Sequence, residues 1–424
     1  MTYILVFSIE ILLIVEAGRR LNLASAAMMT FGYILVAQTF FLYSSMNFSA
    51  STFKAGSSGT FYYTPKFGIL VYGAIYLAIY TATFGTKQSK SFDFSSLKKM
   101  KLKKVSLYLY ILTFFVTAIR LSTIDLNILW HNNTYLLIKS SDALTLQGVI
   151  PSLAKSTLEI FAILVAGLAA ANYLKRNMGA AVIGTILIIP SLLISMASAS
   201  RASGMILIAI AISFLLFGTS WRHRAIVILC VVICGVLFVT ALHGRSTGVF
   251  GITAIPTHFK ISDTPRDIPI IEIFIGSLVQ GIFVTTDSIR LEAKFAEIYK
   301  LLSFSPFPSA LDGFSEILPT YEIRLHKYVP MSAIGEVYHF GPVYIAIYSI
   351  TTFLLYRGNA KLDATKTPVK FLTTSVFITL FFIVAQTYPM RNTYRQLLIA
   401  LLLLHYETLW RHVRPLLVKT TRKL

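Results

Sequence analysis

Residues 225–241 read AIVILCVVICGVLFVTA, with no charged side chain in the run. A helix rises about 1.5 Å per residue, so a stretch of roughly this length crosses most of the ~30 Å hydrocarbon core of a bilayer. In lipid the backbone finds no water, and only bonds within the segment satisfy it; the run is predicted to be a helix. The rest of the chain repeats the pattern. Eleven spans are expected, at 2–17, 26–43, 67–84, 105–121, 153–173, 180–197, 203–219, 225–241, 338–356, 371–388 and 395–409. The expected fold is all-α: a polytopic membrane protein with one large loop between the eighth and ninth spans.

Bulk composition agrees. Of 424 residues, 55% are hydrophobic and 13% charged, and the mean hydropathy is +0.70. That excludes an ordinary soluble domain. The formal charge of +20 invites a nucleic-acid reading, but its distribution argues against one. Alternate loops hold 22 of the 38 basic residues, against only Asp93 and Asp363. Short cytoplasmic loops collect Lys and Arg in this way, and bilayer lipids are the partners this implies. The predicted orientation puts the N-terminus outside and the C-terminus inside. A twelfth span at Ile268–Thr286 would reverse everything after it and put the basic 357–370 loop and the basic tail outside. That segment is therefore expected to be a re-entrant or interfacial helix, and an amphipathic helix is expected at Ser288–Leu302.

The organisation follows: a bundle over 1–241, a large outer loop over 242–332 with short helices, and further spans over 333–424 ending in a basic tail. No internal repeat stands out. Glu10 lies inside the first apolar stretch, and no cleavable signal is expected. Cys230 and Cys234, four apart in an apolar helix, read as packing residues. No metal-ligand pattern is present, and no cofactor is expected.

Charges at the outer boundary need a reason. Arg201 stands in the tight turn SMASASRASG, Arg245 in LHGRSTG and Arg324 in YEIRLHKY. Arg391 and Arg395 flank the last outer turn, four apart and so on one helical face. Guanidiniums bind phosphate bidentately, and five at one level would suit a diphosphate. Taken singly, each is equally explained by snorkelling to headgroups. The segment SAIGEVYHFGP (332–342) places Glu336 and His339 three apart at a span entrance. Both are candidate general bases, because partial burial moves a pKa towards neutrality. The plainer alternative is a helix cap beside a hydrogen-bonded histidine. His326 is a third base candidate. Outer-face tyrosines, Tyr328 and Tyr338 among them, can stack on sugar rings or anchor at the interface.

These features resemble the O-antigen polymerase (Wzy-type) family of bacterial inner membranes. The resemblance rests on the many-span plan with one large late loop, on SASRASG at 198–204, and on IGEVYHFGP at 334–342, similar to the family's Glu-x-x-x-Phe-Gly element. His339 stands where family members often have Asn. The resemblance implies a metal-independent glycosyltransferase at the periplasmic face. Its donor is a glycan on undecaprenyl diphosphate, its acceptor a single lipid-linked repeat unit, and its partner a chain-length regulator. Arg201, Arg245 and Arg324 would hold diphosphate, with Arg391 and Arg395 on the same or the second substrate. Glu336 would be the base, with His326 and His339 as alternatives. Two other readings stay open: an O-antigen ligase acting on lipid A core, and a flippase or exporter without chemistry.

Overall fold

The computed structural model describes residues 2–47, 52–54, 60–62, 65–86, 102–131, 149–200, 202–247, 249–260, 270–307, 309, 312–326 and 329–421. Long helices dominate: α1 (Thr2–Arg20), α2 (Ala26–Asn47), α3 (Pro65–Thr83), α4 (Leu102–Thr123), the short α5 (Leu126–Trp130), α6 (Val149–Leu174), α7 (Met178–Ala197), α8 (Ala202–Phe217), α9 (Trp221–Thr247) and the short α10 (Ile255–His258). Then come α11 (Ile270–Arg290), α12 (Glu297–Ser303), α13 (Phe314–Tyr321), α14 (Ala333–Phe340), α15 (Pro342–Lys361), α16 (Pro368–Ala385) and α17 (Met390–Thr421). Two antiparallel strand pairs are small additions: β1 (Thr52–Lys54) with β2 (Thr60–Tyr62), and β3 (Arg324–His326) with β4 (Val329–Pro330). The fold is all-α, and its apolar helices are those of a membrane-embedded protein.

Among the described residues, four helices are long and apolar enough to cross a membrane: Val105–Thr123, Thr157–Leu174, Met178–Ala197 and Trp221–Ala241. Shorter apolar helices run over Ala26–Thr39, Leu70–Thr83, Ala202–Phe217 and Lys370–Ala385. Their outward faces are apolar: Phe114, Ile186, Leu215, Ile228 and Val232 are all more than half exposed. Water would not tolerate so continuous a surface, whereas lipid does.

Two local expectations are corrected. The ninth apolar stretch does not begin at 338. Gly341 adopts φ +100°, a left-handed conformation that glycine adopts without strain. Pro342 then starts α15, where its missing N–H costs nothing. The expected helix at 288–302 is also divided. α11 stops at Arg290, and α12 begins only at Glu297 after Ala296, which stands extended (φ −63°, ψ 146°). The break lets Phe295 bury against Tyr299 and Phe340, with ring centroids 5.3 and 5.1 Å apart.

The chain forms two compact units that cut across its linear order. The first combines residues 1–93 with 275–424. Its core joins Phe31, Tyr72 and Tyr76 to Val284, Tyr299, Phe340, Tyr356, Phe381 and Leu397. Polar pins fix the helices: Asn359 accepts from the Ala26 amide at 3.1 Å and donates to Ser375 at 3.0 Å. The second unit, residues 94–274, packs through small residues, as helices do where lipid supplies no hydrophobic driving force. Ala162, Ala166 and Ala169 face Tyr110 and Ile188, and Gly204 sits against Cys234.

Candidate functional site

A closely tied group of residues in the first unit surrounds α14. Ser332 caps this helix by accepting from the Gly335 amide at 3.0 Å. The Ser332 amide donates to Ser288 Oγ at 3.0 Å, and the Ala333 amide to the Tyr388 carbonyl at 2.8 Å. Only glycine fits at 335, because a Cβ there would lie 2.2 Å from Ser288 Cβ. α14 is thus clamped between the end of α11 and the turn preceding α17.

Glu336 is the centre of that clamp. It is 0% exposed. One carboxylate oxygen accepts from the Tyr299 hydroxyl at 2.9 Å. The other accepts from the Met390 amide at 2.6 Å, at the first residue of α17. A carboxylate there satisfies an orphan amide and favours the helix dipole. Burial pushes the carboxyl up to about 7, against the lowering pull of Met390 N–H and Tyr299 O–H, with Glu322 adding a further upward push. Burial and the neighbouring Glu336 carboxylate push the Tyr299 hydroxyl well above its ordinary value.

His339 lies on the more open side of the same helix. Its Nε2 is 2.7 Å from the Ser288 carbonyl. A carbonyl only accepts, so Nε2 carries the proton and Nδ1 is left as an acceptor. Tyr338, 53% exposed, stands beside it with ring centroids 5.2 Å apart.

Arg391 differs from the expected open diphosphate ligand. It is 1% exposed. Its guanidinium donates to the Leu302 carbonyl, to the Phe307 carbonyl at 2.8 Å and to Asp312 at 2.5 Å, and it stacks 4.6 Å above the Phe314 ring. Burial acts to raise Asp312, but hydrogen bonds from Ser305 and Arg391 hold its carboxyl below the usual range. Arg395, one turn on, donates to the same Phe307 carbonyl at 2.8 Å and to Ser309 at 3.1 Å. Both arginines therefore hold Phe307 against α17, Arg391 adding Leu302 and Asp312 and Arg395 adding Ser309. Arg324 is exposed on β3 and pairs with Glu322 at 2.7 Å.

The SASRASG turn belongs to the second unit. Ala199 adopts φ +45°, and the Ser200 amide donates to the Ser195 carbonyl at 2.7 Å. The Ser200 hydroxyl donates to Glu159 at 2.9 Å. A small cavity beside the turn is lined by Ser200, Ser203, Thr240 and His258. Arg201 and Tyr328 lie outside the described residues. So do the side chains of Arg245, at the end of α9, and His326, in β3. Sequence reasoning missed Tyr299 and Asp312, whose partners are 37 and 79 residues away. No local pattern marks such pairs.

No family model, curated protein or solved structure matches this chain.

Proposed function

We propose that the chain polymerises lipid-linked oligosaccharide repeat units at the periplasmic face of a bacterial inner membrane, with undecaprenyl diphosphate as leaving group. The proposal takes all eleven apolar stretches as spans, with the N-terminus outside, and places α11–α14 in the large periplasmic loop. It rests on the sequence resemblance. The observation that carries it is His339: an imidazole whose Nε2–H is anchored, whose Nδ1 lone pair remains to accept, and whose neighbour is an exposed tyrosine.

In this reading His339 is the general base. An acceptor sugar hydroxyl attacks the donor's anomeric carbon, and a new C–O bond forms. The hydroxyl proton passes to Nδ1, and the bond to diphosphate breaks with its electron pair leaving on the phosphate oxygen. Tyr338 offers a stacking face to a sugar ring. Glu336 is a positioning residue: fully buried with both oxygens engaged, it aligns α14 with α17 rather than meeting substrate. Arg324 supplies charge for the diphosphate, while Arg391 and Arg395 hold Phe307 in place. A chain-length regulator is the expected protein partner.

Lipopolysaccharide from a deletion strain tests this. Core carrying one repeat unit is the expected product. Bare core, with glycan retained on the carrier lipid, would point to a ligase; unchanged long chains would remove the proposal. In complementation, His339→Ala should reach the membrane at wild-type levels yet leave single-repeat product, a loss of at least about a hundredfold in polymer for a missing base.

A further inference from the structure

The second unit holds an arginine that none of the readings above uses. Arg120 is 4% exposed near the C-terminal end of α4. Its Nη1 has no hydrogen-bond partner. Three more buried polar atoms in this unit are also unpaired: the hydroxyls of Thr117, Ser191 and Ser195.

Helix register brings these four together. A Cβ on Gly184 of α7 would lie 2.7 Å from the Tyr110 hydroxyl of α4. Further along, Ile124 of α4 and Ala197 of α7 share one apolar cluster. The two helices therefore run side by side in the same direction. Thr117 comes level with Ser191, and Arg120 with Ser195 to within a residue. Tyr110, Thr117, Arg120 and Ile124 recur at helical spacing on one buried face of α4. The third wall is α6, antiparallel, whose Asn172 donates to Ser106 at 2.8 Å. At the level of Arg120 it presents Leu158 and Ala162, both apolar and buried. The carboxylate nearest in level, Glu159, accepts from Ser200 and makes no ion pair with Arg120.

A guanidinium cannot discharge itself in a protein, and leaving its Nη1 buried without a partner is unfavourable. An oxyanion removes that cost. The fork binds two of its oxygens, and three hydroxyls donate to others, more donors than a carboxylate's two oxygens employ. Next to the seam, Phe114 and Phe115 are each 57% exposed, an apolar flank suited to an acyl or prenyl chain.

We infer that the α4–α7 seam around Arg120, with Thr117, Ser191 and Ser195, is an anion site that takes the phosphate or diphosphate headgroup of a lipid. The inference deepens the proposed function and rests on it only for the identity of the lipid. It is tested on the full chain in phosphatidylcholine nanodiscs with two probes, farnesyl diphosphate and inorganic pyrophosphate. Wild type should bind, and R120M should bind at least about tenfold more weakly. R120M without ligand should unfold at the same or a higher temperature than wild type, which an arginine with a purely structural role would not allow. Tighter binding of farnesyl diphosphate assigns the anion to a lipid; equal binding assigns it to a free diphosphate, and the lipid part of the inference falls. Unchanged affinity in R120M, or no binding of either probe to wild type, overturns the site. Should R120M fail to assemble, T117V combined with S195A replaces it, with at least about threefold weaker binding expected and unchanged binding contradicting the site. Unchanged affinity in R120M beside intact polymerisation would refute this site and leave the proposed function standing. Binding without polymerisation in wild type would do the reverse.

Discussion

Glu336 and His339 show what residue spacing conveys. Three apart before a Phe-Gly, they were legible as neighbours on a short helix, and both lie on α14. Which of them faces the interior was not legible. That depends on Tyr299 and on the Met390 amide, which come from distant parts of the chain. The buried carboxyl makes a stability prediction. Its folded value, about 7, is raised above the ordinary 4.5 of a glutamate. Its contribution is therefore fully present below pH 4.5 and lost as pH rises through 7, on the order of 3 kcal/mol over that window. Wild type should unfold at a higher temperature at pH 5 than at pH 8, and Glu336→Gln should flatten the difference; an equal slope in both would refute the assignment. Arg391 makes a second. Arg391→Ala strands Asp312 and the Phe307 carbonyl, and should cost about 3–5 kcal/mol as a broken buried pair. A denaturant titration that finds less than 1 kcal/mol, on the order expected for a surface pair, would show that the clamp carries no stability. Arg391 and Arg395 share one helical face and both donate to the Phe307 carbonyl; backbone carbonyls leave no trace in a sequence.

Elements were more legible than sites. Apart from 338–356, which is divided between α14 and α15, each expected apolar stretch lies largely on one helix, because uninterrupted hydrophobicity leaves the backbone no other way to satisfy itself in lipid. The errors fall at breaks. Gly341–Pro342 separates α14 from α15, and the chain leaves the helix between Arg290 and Glu297. In both places local chemistry yields to a packing demand, the burial of Phe340 and Phe295. The contact of α14 with α11 is equally specific. Gly335→Ala places a methyl 2.2 Å from Ser288 Cβ, and the forced separation should cost about 1–3 kcal/mol. Thermal unfolding of the purified variant measures this, and an unchanged midpoint would mean that the two helices separate freely.

At the scale of the whole molecule, the sequence conveys the membrane class through composition and charge alternation, but not the division into units. Residues 1–93 join 275–424 through contacts such as the Tyr72 hydroxyl donating to Gln386, a pairing across most of the chain. The central claim is that a lipid-embedded scaffold presents His339 to a lipid-linked sugar. Its most direct test is polymerisation by the purified protein in nanodiscs, supplied only with lipid-linked repeat units and read as product length on a gel. A ladder of repeats from wild type, reduced to the single unit in His339→Ala, is the result predicted. No ladder from folded wild-type protein, or the same ladder from both, would contradict it.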